Sequence, residues 1–282
     1  MANATLPDEK LPDAKLAFVV LAGERPGGSP LALAMGVAAG VLVDVAGQTA
    51  IERVFAALRA STFTANGVLC GPLQSIVADS THLQALLAPG DIRWLAPASG
   101  PAASAVAALE QQGSYPALVT TADHALLTGA IIDAFCERAL AQDADFVVGL
   151  VPYDCVRTAF PESKRTVLRF SDGGYCGSNL FCVRSERGLK ALLFWRQVES
   201  LRKRPWKIAR HLGLFTLLRY QLGRLRSADA FALLSRKAGC TLAFVELPIA
   251  RAAVDVDSVA DRELAEQLLL GDRQAGGTPA VM

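Results

Sequence analysis

The chain has 282 residues, of which 52% are hydrophobic and 20% are charged. This composition excludes a disordered protein, and the length supports a large core without disulfide bonds. The 28 Lys and Arg residues nearly balance the 27 Asp and Glu residues, and the net charge of +1 therefore favours no general binding to nucleic acid.

The N-terminal residues, the apolar runs and the cysteines indicate in which compartment of the cell the protein works. Residues 1–15 mix acids, lysines and prolines instead of forming a signal peptide, and we predict a flexible lead-in. The longest apolar run, residues 30–43, is shorter than the ~20 residues that a membrane-spanning helix needs. The six cysteines form neither a C-x-x-C pair nor a zinc-type cluster with histidine, so we predict free thiols in a cytoplasmic protein.

Short apolar runs alternate with stretches of helical spacing through the first 150 residues. The predicted strands are 16–22, 67–70, 92–95, 117–120, 146–150 and, near the end, 242–247, and the predicted helices are 50–60, 102–111 and 128–141. Continuous apolar runs are typical of strands that are buried on both faces. We therefore predict an α/β fold with a doubly wound, mostly parallel sheet, in which ligands bind beyond the carboxyl ends of the strands.

The pattern changes after residue 150. Residues 167–170 and 180–183 predict two strands around a turn, SDGGYCGSN, which form a small antiparallel insertion. Residues 189–234 predict a basic helical insertion, and a last helix follows the segment VDVDSVADREL. The predicted organisation is a lead-in at 1–15, a single domain at 16–270 and a loose tail at 271–282.

A glycine-rich loop follows the first predicted strand. In Gly23-Glu24-Arg25-Pro26-Gly27-Gly28, the glycines allow backbone amides to approach a phosphate, and Arg25 adds a bidentate donor. The alternative is a simple turn with a solvated arginine. The loop matches neither the P-loop nor the full dinucleotide-binding pattern, which argues against both of those classes.

Acidic residues follow two of the predicted strands. Asp123 follows the strand 117–120, where a carboxylate is well placed to hold a divalent cation; the alternative is a helix cap or a turn residue. Asp255 and Asp257 follow the last strand, and in extended geometry both point to the same side. Ser258 and Asp261 resemble a capping box, which is compatible with a metal-binding role for Asp257.

Four segments in order resemble the nucleotidyltransferases with a GT-A-type fold. They are LAGERPGGSP, VLVDVAGQTAIERVFAAL, TADHALL and VDVDSVADREL, and the resemblance covers most of residues 16–270. The group includes molybdenum cofactor guanylyltransferases and the cytidylyltransferases of sugar, isoprenoid and polyol phosphates. The resemblance implies transfer of a nucleoside monophosphate from an NTP, CTP or GTP, to a phosphorylated small-molecule acceptor, with Mg²⁺ as cofactor and pyrophosphate as product.

The resemblance also implies a set of site residues. For the nucleotide these are Ala22, Gly23, Glu24, Arg25, Gly27, Gly100, Pro101 and Ser104; for Mg²⁺, Asp123 and Asp257; for catalysis, Arg25 and Lys164; for the acceptor, Arg165 and Asn179. A solvated basic loop is the alternative for Lys164 and Arg165, and a tight turn is the alternative for Asn179.

One position departs from the family pattern. A lysine that the family usually carries is replaced by Gly40, and no lysine occurs between Lys15 and Lys164. Losing a cation beside the phosphates removes stabilisation of the transition state. Either Arg25 substitutes for it, or the protein is a weakened enzyme or a nucleotide-binding regulatory protein. A glycosyltransferase is disfavoured because the D-x-D spelling, Asp255-Val256-Asp257, comes near the end of the chain.

Residues 195–226 are strongly basic, with nine Lys and Arg residues against the single acid Glu199. Leucines and aromatic residues are interleaved with these charges. Amphipathic helices that pack an apolar stripe on the sheet would explain this composition. The alternative is contact with an anionic membrane, at the inner membrane surface, or with an anionic acceptor. The charge would also fit nucleic acid, which the balance of the whole chain does not favour.

Overall fold

The computed structural model describes residues 15–24, 27–200 and 213–274. The strands are β1 (Leu16–Leu21), β2 (Asp44–Val45), β3 (Gln48–Thr49), β4 (Thr64–Cys70), β5 (Ile92–Leu95), β6 (Ala117–Thr121), β7 (Phe146–Pro152), β8 (Leu168–Phe170), β9 (Gly173–Val183) and β10 (Leu242–Glu246). The helices are α1 (Pro30–Met35), α2 (Ala50–Ala60), α3 (Gln74–Asp79), α4 (Thr81–Leu87), α5 (Pro101–Gln112), α6 (Gly129–Leu140), α7 (Tyr153–Ala159), α8 (Leu189–Ser200), α9 (Leu214–Gln221), α10 (Ser227–Ala238) and α11 (Val259–Gln274). Short 3₁₀ turns lie at Gly40–Leu42, Glu186–Gly188 and Ala250–Ala253.

The main sheet has the strand order β10-β7-β9-β6-β1-β4-β5, with β8 paired to β9. β1 is parallel to β4 and β6, β4 is parallel to β5, and β10 is parallel to β7. Only β9 and its neighbour β8 introduce antiparallel pairs into this sheet, and β2 and β3 form a separate antiparallel ribbon. The predicted α/β, mostly parallel, doubly wound architecture is confirmed.

Alternate residues of β1 enter two cores. Phe18 and Val20 pack on one side of the sheet with Phe55 of α2 and Ile132 of α6. Val19 packs on the other side with side chains of α5 and α8. This double burial explains why the strand appears in the sequence as a continuous apolar run.

The predicted turn SDGGYCGSN is wrong for most of its length. The chain reverses at residues 171–172, and β9 already begins at Gly173 and runs to Val183 between β7 and β6. The glycines are strand residues that leave room for aromatic rings, because a Cβ at Gly173 or Gly174 would lie 3.3 Å from the side chains of Tyr175 and Tyr153, respectively. Glycines in a sequence can therefore indicate either a turn or a strand that packs closely against large side chains.

The C-terminal helix is longer than predicted. α11 continues to Gln274, past the start of the predicted tail at residue 271. Both terminal nitrogens of Arg251 bond the carboxylate of Asp272, at 2.5 and 2.9 Å, which holds this last turn to the 3₁₀ turn before it. Residues 275–282 lie outside the described residues.

Three further predictions concern the cysteines, the basic region and membrane-spanning helices. All six cysteines are free thiols, as predicted, and five of them are buried. The basic region does contain helices, namely α8, α9 and α10, while its residues 201–212 lie outside the described part. Within the described ranges, no helix combines the length and the apolarity that crossing a bilayer requires.

Candidate active site

Loops from four neighbouring parallel strands meet at one edge of the sheet. The amide of Ala22 donates to the carbonyl of Cys70 at 2.8 Å, and the amide of Ala122 donates to Leu21 at 2.9 Å. The amide of Gly71 donates to Leu95 at 2.9 Å. These bonds join the segments that follow β1, β4, β5 and β6, at the edge where α/β sheets bind ligands.

The predicted nucleotide-binding residues after β1 and β5 lie together. Gly23 is close to Pro97, because a Cβ at Gly23 would lie 3.3 Å from the proline Cβ. Gly71, at φ +88°, also lies against the loop after β1, because a Cβ at Gly71 would lie 2.9 Å from the carbonyl of Ala22. Only glycine permits both this backbone conformation and this approach.

The start of α5 is built by three of the predicted residues. Gly100 precedes the helix, Pro101 occupies its first turn, and Ser104 is buried in it. The hydroxyl of Ser104 accepts a hydrogen bond from the amide of Ala98 at 2.9 Å, which fixes the loop after β5. The sequence marks this segment by its proline at the first helical position.

The glycine-rich loop contacts the position where the family lysine is absent. The carboxylate of Glu24 accepts a hydrogen bond from the amide of Gly40 at 2.6 Å. Gly27 is exposed and has φ +100°, a conformation that L-residues rarely adopt. Arg25, predicted to be a catalytic and nucleotide-binding residue, lies outside the described residues.

Asp123 and Asp257 are brought together by a backbone hydrogen bond. The amide of Val256 donates to the carbonyl of Asp123 at 2.9 Å, which joins the loop after β6 to the segment before α11. Burial raises the pKa of Asp123 to about 7; the charges of Asp255 and Asp257 act in the same direction, and a hydrogen bond from Thr121 opposes them. An acidic cluster thus surrounds a partly buried carboxyl group.

Arg165 bridges two acids instead of projecting into solvent. Its side chain is 8% exposed, and its guanidinium lies 2.5 Å from Asp255 and 2.7 Å from Asp261. It also donates to the backbone carbonyl of Asp255 at 3.3 Å. The residue predicted to bind the acceptor therefore fixes the loop that carries Asp257, while its neighbour Lys164 is exposed.

Asn179 lies in a β-bulge and not in the predicted tight turn. It has φ +53°, and the register of β9 against β7 shifts between Val148 and Leu150. The hydroxyl of the preceding Ser178 donates to the carbonyl of Gly149 at 2.8 Å, which satisfies a backbone group that the bulge leaves without a ladder partner. Bulges of this kind re-aim a side chain, here close to the end of β6.

His124 completes the surroundings of Asp123 as an uncharged residue. It is 1% exposed, and burial lowers its pKa to about 4. Among the described residues, no group of three or more His, Cys, Asp and Glu side chains is arranged to hold a metal ion. A cation at this edge would therefore need oxygen ligands from a substrate or water in addition to Asp123 and Asp257.

Comparisons with known proteins identify the fold and the family. A hypothetical transferase from Thermus thermophilus is 30% identical, with a TM-score of 0.73, over 88% of this chain and 100% of that one. A CMP:2-keto-3-deoxy-manno-octonic acid synthetase complexed with CTP is 11% identical, with a TM-score of 0.56, over 92% of this chain and 100% of that one.

A 4-diphosphocytidyl-2C-methyl-D-erythritol synthase from Anaerococcus prevotii is 10% identical, with a TM-score of 0.55, over 91% of this chain and 96% of that one. At these identities the two synthases show the shared fold alone. No curated protein matches the chain. The model of the MobA-like NTP transferase domain matches residues 19–170, and the chain therefore belongs to the family of MobA-like NTP transferase domains.

Proposed function

We propose that the protein is a nucleotidyltransferase that moves a nucleoside monophosphate from CTP or GTP to a phosphorylated small-molecule acceptor. The observation that supports this most is the bond from the Val256 amide to the Asp123 carbonyl, because it brings carboxylates from two distant segments to the ligand-binding edge. Family membership supports the general reaction class. The free thiols favour a cytoplasmic site of action, which belongs to the same proposal.

The residues at this edge fit Mg²⁺. The ion prefers oxygen ligands and is commonly held by one or two carboxylates together with substrate phosphates. Asp123 and Asp257 would supply these carboxylates. Burial, and to a lesser extent the charges of Asp255 and Asp257, raise the pKa of Asp123, and a bound cation would offset both effects. When bound, Mg²⁺ supplies positive charge beside the phosphate oxygens.

The protein groups position the two substrates. Backbone amides of Gly23, Gly27 and Gly28 would bind the NTP phosphates, while the segment from Gly100 to Ser104 borders base and ribose. An oxygen of the acceptor phosphate forms a bond to the α-phosphorus, the α–β phosphoanhydride bond breaks, and pyrophosphate leaves with the electron pair. Lys164 and Arg25 are proposed to neutralise the developing charge, and Asn179 to bind an acceptor hydroxyl.

Release of pyrophosphate tests the proposal. Each NTP is incubated with Mg²⁺ and a panel of phosphorylated sugars, polyols and isoprenoid precursors. We expect turnover with CTP or GTP, and a loss of at least a hundredfold in Asp123→Asn. Asp154→Asn is the matched control, since Asp154 is exposed and pairs only locally with Arg157. Unchanged turnover in Asp123→Asn would remove this carboxylate from the site.

A second candidate is a nucleotide-binding regulatory protein of the same fold. The observation that favours it is the contact of the Glu24 carboxylate with Gly40, which leaves a negative group at a position where the family has a cation. Nucleotide binding without pyrophosphate release from any acceptor would support this candidate.

Gly40→Lys separates the two candidates further. In an enzyme weakened by the missing charge, the substitution should raise turnover about tenfold, which is ~1.4 kcal/mol in activation free energy. The neutral Gly40→Gln controls for side-chain bulk, because any Cβ here would lie 2.9 Å from the Ser29 hydroxyl. A regulatory protein would gain nucleotide affinity without turnover.

A further inference from the structure

The outer stripe is a row of apolar side chains on α9 and the residue after it. Phe215, Leu218 and Leu222 are 73%, 50% and 58% exposed. Their spacing of three and four residues places them on one face of a helix. Clustered exposed apolar side chains of this size mark interaction surfaces more often than single ones do.

The opposite side of this region is anchored to the protein. The ring of Tyr220 packs edge-on against Phe170 with centroids 6.1 Å apart, and its hydroxyl accepts from the amide of Arg169 at 3.3 Å. Leu225 is 5% exposed, and its carbonyl accepts from the amide of Ser171 at 2.8 Å. The outward orientation of the outer stripe is therefore fixed by contacts on the other side.

The chain around the outer stripe carries an excess of positive charge. Residues 201–226 contain eight Lys and Arg residues and no Asp or Glu, whereas the whole chain has a net charge of only +1. Arg219 is compensated by Asp229 at 2.9 Å, but Arg224 and Arg226 are exposed beside the outer stripe. The rest of the chain therefore carries a net negative charge. Five of the eight basic residues lie in residues 201–212, outside the described part, and within it Arg224 and Arg226 carry exposed positive charge in the segment that follows α9.

We propose that the outer stripe binds the surface of an anionic lipid bilayer. The apolar side chains would enter the boundary between headgroups and acyl chains, about 5–10 Å deep, while Arg224 and Arg226 contact lipid phosphates. A second copy of this chain would place like charges against each other. A nucleic acid would use the arginines but gives no role to three exposed apolar side chains.

The position of α9 relates the proposed lipid contact to the ligand-binding edge of the sheet. α9 packs on the hairpin of β8 and β9, which pairs with the carboxyl end of β7 through Tyr175 and Pro152. Because β6 and β7 both run antiparallel to β9, their carboxyl ends lie at the same edge, where α/β sheets bind ligands. Lipid binding stands independently of the nucleotidyltransferase proposal.

Vesicle sedimentation of the full chain tests the proposal. Vesicles of phosphatidylcholine alone are compared with equal mixtures of phosphatidylcholine and phosphatidylglycerol. We expect binding to the anionic vesicles that weakens as salt rises from about 0.1 to about 1 M, over which the Debye length falls from ~10 to ~3 Å. The variant Phe215→Ser/Leu218→Ser/Leu222→Ser should lose at least tenfold in partitioning, and Arg224→Gln/Arg226→Gln should weaken anionic binding.

Matched controls use exposed residues elsewhere. Leu33→Ser/Leu270→Ser removes apolar surface that is 86% and 43% exposed, and Arg93→Gln/Arg138→Gln removes two other exposed charges. Both controls should bind as the wild type does. Failure of the wild type to bind anionic vesicles, or equal binding by the triple serine variant, would overturn the proposal. So would a wild-type dimer, detected by light scattering, that the triple variant converts to monomer.

Discussion

At the scale of single residues, Asp123 shows how the burial of a carboxyl group lowers the stability of the folded state. Its carboxyl group has a pKa of about 7 in the folded protein, against 3.8 ordinarily. The folded state therefore holds a proton that the unfolded state has lost, and the stability contributed by this group falls as the pH rises from about 4 to about 7.

Asp123→Asn should consequently stabilise the metal-free protein. At pH 8 in EDTA the gain is expected to be on the order of 2 kcal/mol, since one pKa unit corresponds to about 1.4 kcal/mol and solvent access at this partly exposed site reduces the full effect. The gain should be smaller at pH 5, because there the folded wild type keeps its proton. Denaturant unfolding at both pH values measures the difference.

The same measurement has a direct control. Asp154→Asn removes an exposed carboxylate and should change the unfolding free energy by a few tenths of a kcal/mol at most. Added Mg²⁺ should stabilise the wild type but not Asp123→Asn. A variant that is less stable than the wild type at pH 8 would contradict the assigned direction of the pKa shift.

Arg165 is a positioning residue for the same cluster. Arg165→Lys keeps one positive charge but cannot bridge Asp255 and Asp261 with a planar fork, so the loop carrying Asp257 should be held less firmly. We expect the Mg²⁺ concentration for half-maximal turnover to rise about tenfold while the KM for the NTP stays within twofold. Arg157→Lys, at an exposed ion pair, should change neither value. Equal loss of turnover at saturating Mg²⁺ would argue for a different role.

The two residues differ in how far the sequence reveals them. Asp123 is visible because an acid that ends an apolar strand is placed by the strand itself. The pairing of Arg165 with Asp255 joins segments that are distant in the chain, and no local spacing encodes it. An isolated basic dipeptide therefore indicates solvent exposure in the sequence, whereas the fold buries one of its members.

At the scale of elements, the ion pair of Arg251 with Asp272 is one of the contacts that hold the last turn of α11. The hydrogen bonds from Arg251 lower the pKa of Asp272, and its burial opposes them. This stabilisation is present above the ordinary carboxyl pKa of 3.8 and is lost as the pH falls through the lower folded value. Sequence composition did not indicate it, since the small and polar residues beyond the helix resemble a loose tail.

Asp272→Asn should lower the unfolding free energy by about 0.5–1 kcal/mol at pH 7, the range for a partly exposed bidentate pair. The difference from the wild type should shrink below pH 4. Amide hydrogen exchange in α11 should become faster in the variant, while exchange in the central strands is unchanged. Asp79→Asn offers a control in a short surface helix. Equal exchange in α11 of both proteins would show that the helix is anchored by other contacts.

β9 shows the limit of local patterns for strands. β1, β6 and residues 67–70 of β4 are buried almost throughout and are therefore visible as apolar runs, whereas β5 keeps Arg93 exposed. β9 contains Gly173, Gly174 and Gly177, and its place between β6 and β7 depends on pairing with strands far away in the chain. The bulge at Asn179 is equally invisible, because its register is set by the partner strands.

At the scale of the whole molecule, the candidate site depends on the path of the chain through the sheet. Strand order places β6 beside β1, and the segment after β10 reaches back to the loop after β6 through Val256 and Asp123. Each segment alone carries a weak motif. The order of the motifs along the chain predicted the family, whereas the distances between them needed the fold.

Nucleotide binding should therefore stabilise the molecule as a unit. A ligand that binds only the folded state at a hundred times its Kd adds about 2.7 kcal/mol, which for a domain of this size corresponds to a rise of roughly 5–10 °C in Tm. We expect this rise with CTP or GTP and Mg²⁺, a much smaller one in EDTA, and almost none with Mg²⁺ in Asp123→Asn. ATP and UTP serve as controls for base choice. A rise of the same size in EDTA would mean that the triphosphate is held by the glycine-rich loop without a cation at the Asp123 edge.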